Sequence, residues 1–323
     1  MRRPWMLTGW ALTLVTAAWA LEHTSIAPAS ALGRLLHDES THLVAHSILY
    51  GTLAALLASR WFPASALDGP REALTRRAVG AALSFAFVAG AQETVQALHR
   101  DRLPGAEEYF DLAVDIAGAS LGLIAWTALD PRRRYPVARA LGVLLHPALL
   151  GPAGVYAVLR SALEDGALAL RWTSLAVACA LPVAAVWRLG LLRGWFRDRD
   201  LSVREERPTF LAASLACAAA LYGAAVALDA PSPMRHVALA GAVAAVLFAA
   251  VTAAGLKVSG HVAVPVGTVV LLHATSFRGP WPFALAALAL SWARVKEGRH
   301  TPVEVLGAWG LAGASGALTR WAG

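Results

Sequence analysis

The sequence predicts an all-α protein, a polytopic bundle of about eleven transmembrane helices arranged in two modules. Three observations lead there. Hydrophobic residues make up 57% of the 323 and charged residues only 15%, with a mean hydropathy of +0.54, which is far too little polar surface for a soluble globule. The apolar residues are gathered into runs of roughly the 20 residues that a helix needs to cross a bilayer. Of the 28 basic residues only Lys257 and Lys296 are lysines, and the arginines collect in the segments between runs.

The first run, 5–22, follows Arg2 and Arg3 and reads as a retained helix, since the stretch is long and no small-residue cleavage site comes after it. Runs at 41–59, 78–97 and 109–129 come next, then 137–159, which Pro147 and Pro152 interrupt. Six more lie at 167–190, 209–229, 237–256, 262–277, 281–295 and 302–321. Cys179 and Cys217 sit inside apolar runs as small packing residues, so neither a disulfide framework nor a cysteine metal site is expected.

The loop arginines orient these helices, because short cytoplasmic loops carry the excess of positive charge. Arg2 and Arg3, Arg60 with Arg71, Arg76 and Arg77, Arg132 to Arg134, and the stretch from Arg188 to Arg207 fall on one side if the helices alternate. That side is predicted to be the cytoplasm, in a multi-pass protein of the cell membrane. The net charge of +7 therefore speaks for topology and lipid head groups; basic and aromatic residues are not interleaved as on a nucleic-acid surface, and no nucleic-acid partner is expected. The Arg132-Arg133-Arg134 loop also divides the chain into a four-helix module at 1–130 and a module of about seven helices at 131–323.

Polar residues at the ends of membrane helices are costly to keep there, and they point to function. In the C-terminal module they form three islands: Arg207-Pro208, Ser259-Gly260-His261, and Arg294 to Glu304 with His300 between. Two helices separate each island from the next, so all three return to one membrane face. A guanidinium grips a phosphoryl group bidentately, one imidazole can attack phosphorus, and a second can protonate the leaving oxygen. This module has no clustered carboxylates for a metal pair, so metal-independent turnover without a cofactor is expected. Each island also has a purely structural reading. Thr301-Pro302-Val303-Glu304 is a capping box with proline at the first helical position, Ser259-Gly260 is an ordinary helix entry, and Arg207 and Arg294 suit head-group anchors. The joint spacing favours the functional one.

Over about residues 170–323 the pattern resembles the type 2 phosphatidic acid phosphatase family, whose three motifs are a Lys with Arg-Pro seven residues on, Ser-Gly-His, and an Arg with a His six residues later and an acid four beyond. The resemblance implies that Ser259, Gly260 and adjacent backbone amides hold phosphate oxygens, that His261 is the general acid and His300 the nucleophile, that Glu304 orients His300, and that Arg294 clamps the phosphoryl group. The first motif departs from the pattern, since Asp200 occupies the Lys position and Arg204 or Lys257 would have to supply the charge beside Arg207; Ala293 also stands where a Ser often precedes the Arg. The implied substrate is an amphiphile with its phosphate at the membrane surface, such as phosphatidate or a polyprenyl phosphate or diphosphate. The rival is a non-catalytic lipid-binding or lipid-transporting protein whose arginines hold head groups. Oligomeric state is not legible on either reading.

The N-terminal module carries His46 and Tyr50 one turn apart on its second helix, Glu93 and Gln96 nearly one turn apart on its third, Asp111, Asp115, Gly118 and Gly122 along one face of its fourth, and Arg102 in the short outer loop. His46-Ser-Ile-Leu-Tyr50, Glu93-Thr-Val-Gln96, Arg102 and Asp111-Leu-Ala-Val-Asp115 resemble the VanZ-like family of four-helix membrane proteins, some linked to glycopeptide resistance, over about residues 20–128. Leu43 replaces a usual Lys and Asp115 a usual Asn, and the resemblance implies no settled reaction. On the residues alone, a buried network pairing the acids with Arg102 and the histidine is preferred to a zinc site built from His42, His46, Glu93, Asp111 and Asp115. The glycines suit close helix packing.

Overall fold

The computed structural model describes residues 39–99, 106–163, 165–199, 201, 203–273 and 280–321. Every regular element among the described residues is a helix, and no strand is among them. They divide into two compact units between Leu144 and Leu145.

The first unit contains α1 (Glu39–Trp61), α2 (Ala64–Leu67), α3 (Arg71–His99), α4 (Ala106–Trp126) and α5 (Arg134–Leu144). Helices α1 and α4 cross backbone to backbone, because glycines leave nothing between them. A Cβ on Gly118 would lie 2.4 Å from Ser47 Cα, and one on Gly122 2.4 Å from Gly51 Cα. The turn before α5 is held by Asp130, whose carboxylate accepts from Arg132 N–H at 3.0 Å and from its guanidinium at 2.9 Å, while Arg132 also reaches Asp68 at 3.0 Å. Helix α5 packs on α3, so the division falls one helix after the arginine loop.

The second unit contains α6 (Pro147–Ala162), α7 (Gly166–Leu192), α8 (Arg207–Ala227), α9 (Ser232–Ala253), α10 (Gly260–His273), α11 (Pro280–Lys296) and α12 (Pro302–Trp321). The expected single run at 137–159 is therefore two helices, α5 and α6. Pro147 lacks an N–H and pushes the residue before it out of the helical region, and His146 sits at φ −64°, ψ 141°. Asp165 caps α7 by accepting from the N–H groups of Ala167 and Leu168 at 2.8 and 3.1 Å.

Helix α10 is short, apolar on every side and central, packing on α6, α11 and α12, as an all-round hydrophobic helix must. Its Val262, Ala263, Val266 and Leu272 are buried. Helices α7 and α8 are also strongly apolar but bury few of their side chains, with Leu181 60% exposed. Apolar surface of that extent is stable only in an apolar solvent, which is the signature of a membrane protein. By length and composition five helical segments are able to cross a bilayer, four within α1, α7, α8 and α9 and one running from α4 through Leu129, or six if the residues on either side of Leu145–His146 form one broken span. The run at 5–22 lies outside the described residues, and every later run is helical, the one at 262–277 as far as His273.

Candidate active site

The site in the second unit is built by the way α11 stops and α12 starts. Gly298 has φ +71°, which glycine adopts without steric cost, and its N–H donates to Val295 C=O at 3.1 Å. Arg299 N–H donates to Arg294 C=O, also at 3.1 Å, completing a Schellman stop. His300 N–H donates to the same carbonyl at 3.2 Å, so the nucleophile candidate is folded back onto the last turn of α11. Helix α12 then opens with the capping box: Glu304 N–H donates to Thr301 Oγ1 at 3.3 Å, and Glu304 Oε2 accepts from Thr301 N–H at 3.2 Å. The six-residue step from Arg294 to His300 spans this helix stop and ends at the residue before the Thr301 cap.

The same Glu304 Oε2 lies 3.0 Å from His300 Nδ1. One carboxylate thus closes the capping box and also contacts the His300 ring. His300 is 9% exposed, and its pKa is lowered to about 4, first by burial and then by the charges of Arg294 and Lys257, with Glu304 pulling the other way. The imidazole is neutral at neutral pH. With its proton on Nδ1 and donated to Glu304, the lone pair is on Nε2.

Basic side chains surround this pair. Arg294 is 1% exposed, and its Nη1 donates to Glu297 Oε2 at 2.9 Å, itself a buried carboxylate. Lys257 Nζ donates to Arg299 C=O at 2.8 Å. Burial lowers the Lys257 pKa, as do the charges of Arg207, Arg294 and Arg299, while Glu304 raises it; four cations and Glu304 therefore share one electrostatic neighbourhood. Arg207 Nε donates to Leu201 C=O at 2.9 Å. Arg299 stands 3.8 Å from Asp198. The side chain of Arg204 lies outside the described residues, as does Asp200.

Ser259 opens α10 fully buried, and its Oγ has no hydrogen-bond partner. A buried hydroxyl without a partner costs free energy, which an anion there would recover. Beside it, Gly260 faces open space, with nothing within 4 Å of where a Cβ would sit. The loop carrying Lys257 and Ser259 is brought against α12 at Gly307, where a Cβ would lie 3.0 Å from Val258 Cγ1. His261, in the first turn of α10, packs against His146 with ring centroids 5.2 Å apart and planes at 89°.

In the first unit the structure joins His46 to Asp115, with Nδ1 and Oδ1 2.7 Å apart and Asp115 fully buried. Tyr50 stacks on His46 at 6.1 Å and meets Phe85 edge-on at 5.9 Å. Its hydroxyl donates to Gln92. Asp111 lies one turn before Asp115 on α4. The side chains of His42, Glu93 and Gln96, and all of Arg102, lie outside the described residues.

Glu297, His146 and Gln92 were not foreseen from the sequence. His146 could have been suspected as a helix N-cap from the His-Pro pair that precedes an apolar run. No protein-family model matches the chain, and neither does any curated protein or solved structure.

Proposed function

We propose that the chain is an integral membrane phosphatase that hydrolyses a lipid phosphate, or a polyprenyl phosphate or diphosphate, through a phosphohistidine at His300. The observation that carries this reading is the His300–Glu304 pair, 3.0 Å between Nδ1 and Oε2, set in a field of cations with a second histidine at the head of α10. A neutral imidazole whose Nδ1–H is held by a carboxylate presents a nucleophilic Nε2. The cations compensate the charge that phosphoryl transfer spreads over the equatorial oxygens.

In the first step Nε2 forms a bond to phosphorus, the P–O bond to the lipid breaks, and His261 gives its proton to the departing oxygen. In the second, water loses a proton to His261 and attacks phosphorus, the P–N bond breaks, and inorganic phosphate leaves with His300 restored. Ser259 Oγ and the first amides of α10 would hold phosphate oxygens, as a helix N-terminus does. Arginine and lysine provide the neutralisation, so turnover is expected without a metal ion.

The wider reading has a VanZ-like module fused to a phosphatidic acid phosphatase-like module, crossing the cell membrane about eleven times, with the phosphatase residues and the N-terminus in the cytoplasm. A second reading, lipid binding without catalysis, draws support from Arg294, whose guanidinium is already engaged by Glu297. Purified protein in detergent, offered a short-chain phosphatidate and a polyprenyl diphosphate, decides between them. Phosphate release that His300→Ala abolishes is the expected result, and binding without any release favours the second reading.

A further inference from the structure

His146 stands outside the stretch that carries the phosphatase resemblance, yet it touches the candidate general acid. Its Nδ1 accepts from Ala148 N–H at 3.2 Å as the N-cap of α6. That bond requires an unprotonated Nδ1, and the positive end of α6 opposes a second proton on the ring. His146 is thereby held as the neutral tautomer with its hydrogen on Nε2, in one orientation. Its ring meets His261 edge to face at 5.2 Å.

The contact is part of a longer register. Helices α6 and α10 pack side by side, and eight residues into α6 a Cβ on Gly154 would lie 2.3 Å from Thr268 Oγ1, seven residues into α10 from His261. The two helices therefore run parallel with their N-termini together, and the Gly154–Thr268 approach locks their relative height. Any sliding of α10 that would move His261 has to break that approach and the ring contact together.

We propose that His146 is a positioning residue for His261, fixing the imidazole that protonates the leaving oxygen. This rests on the phosphatase reading above. The effect of losing it should depend on the leaving group, because a misplaced general acid matters most when the departing oxygen is strongly basic.

His146→Asn is the variant of choice, since asparagine is among the best N-caps and can still accept from Ala148 N–H while removing the ring. The rate of the first step, read as phosphoenzyme formation before the first turnover completes, should fall by about 10- to 100-fold for a short-chain phosphatidate, whose leaving group is an alkoxide, and stay within about threefold of the unsubstituted protein for p-nitrophenyl phosphate; only this step separates the esters, since His261 serves the second step of both alike. In a His261→Ala background the same substitution should add nothing further on either ester. An equal loss on both esters, no loss on the phosphatidate, or full additivity with His261→Ala in a folded protein overturns the coupling and leaves the phosphatase reading standing. Absence of turnover of either ester by the unsubstituted protein overturns both.

Discussion

Glutamine at position 304 separates the two roles of one carboxylate. Glu304 Oε2 accepts from Thr301 N–H at 3.2 Å and from His300 Nδ1 at 3.0 Å. Glutamine serves a capping box as well as glutamate, and its single carbonyl oxygen can accept from both donors, so Glu304→Gln keeps the geometry and removes only the charge. A hydrogen bond to a charged group contributes about 1.5–3 kcal/mol against about 1 for a neutral one. The surplus grows as the imidazole becomes a positively charged phosphoimidazole, and a loss of roughly 1.5–3 kcal/mol in the barrier corresponds to about 10- to 100-fold in rate. Turnover of p-nitrophenyl phosphate should fall by that factor with KM nearly unchanged, and the thermal midpoint should hold within a few degrees. Thr301→Ala is the converse. It removes the Oγ1 cap, at a cost of about 1 kcal/mol, and should lower the thermal midpoint while the folded fraction keeps most of its turnover. Full activity in Glu304→Gln, or an activity loss matched by unfolding, would refute the division of roles.

Three further outcomes are expected. Between the ordinary histidine pKa of 6.5 and about 4, an unfolded His300 binds a proton that the folded one refuses, so stability should rise with pH across that window and be lost as pH falls through it, by up to about 3 kcal/mol; the acid limb of kcat/KM should likewise lie nearer pH 4 than 6.5, and a limb that His300→Ala leaves in place in the stability curve would contradict it. Gly122→Val drives a side chain into Gly51, where even a Cβ would sit 2.4 Å from Cα, and should destabilise the first unit by about 3 kcal/mol or more, whereas Gly90→Ala, with nothing within 4 Å, should not; melting of the two variants checks the close crossing. Asp115→Asn strips the charge from the His46 pair and should leave turnover of a soluble phosphate ester within about threefold, roughly 0.6 kcal/mol in barrier, a hundredfold loss in folded protein meaning that both units serve one reaction.

The helices were legible because each apolar run is bounded by charge, proline or glycine. The break at Leu145–His146 was marked by Pro147, but the apolar pattern continues through it and reads as one span. Gly118 and Gly122, one turn apart, announced a close crossing of α4; their partners Ser47 and Gly51 are the matching pair of small residues one turn apart on α1, and only the fold shows that the two pairs meet. The Glu304 capping box and its contact with His300 were both legible, because a capping box and a carboxylate placed to hold that imidazole ask for the same residue at the same place. Glu297 was illegible, since an acid in a turn beside Lys296, Gly298 and Arg299 looks solvated, and only the fold buries it against Arg294. His146 and His261 meet across more than a hundred residues, and nothing in local spacing joins them. Gln92, which accepts from the Tyr50 hydroxyl, was not legible because it stands beside Glu93 and near Gln96, polar residues equally able to meet that hydroxyl.

The central claim is a covalent bond between phosphorus and His300. Protein mixed with radiolabelled substrate and quenched in alkali should retain a label that is stable to base and released by acid, the behaviour of a phosphoramidate, and His300→Ala should carry none. Hydrolysis at full rate by His300→Ala, or a label that resists acid and yields to base as an acyl phosphate or phosphoserine does, would contradict it.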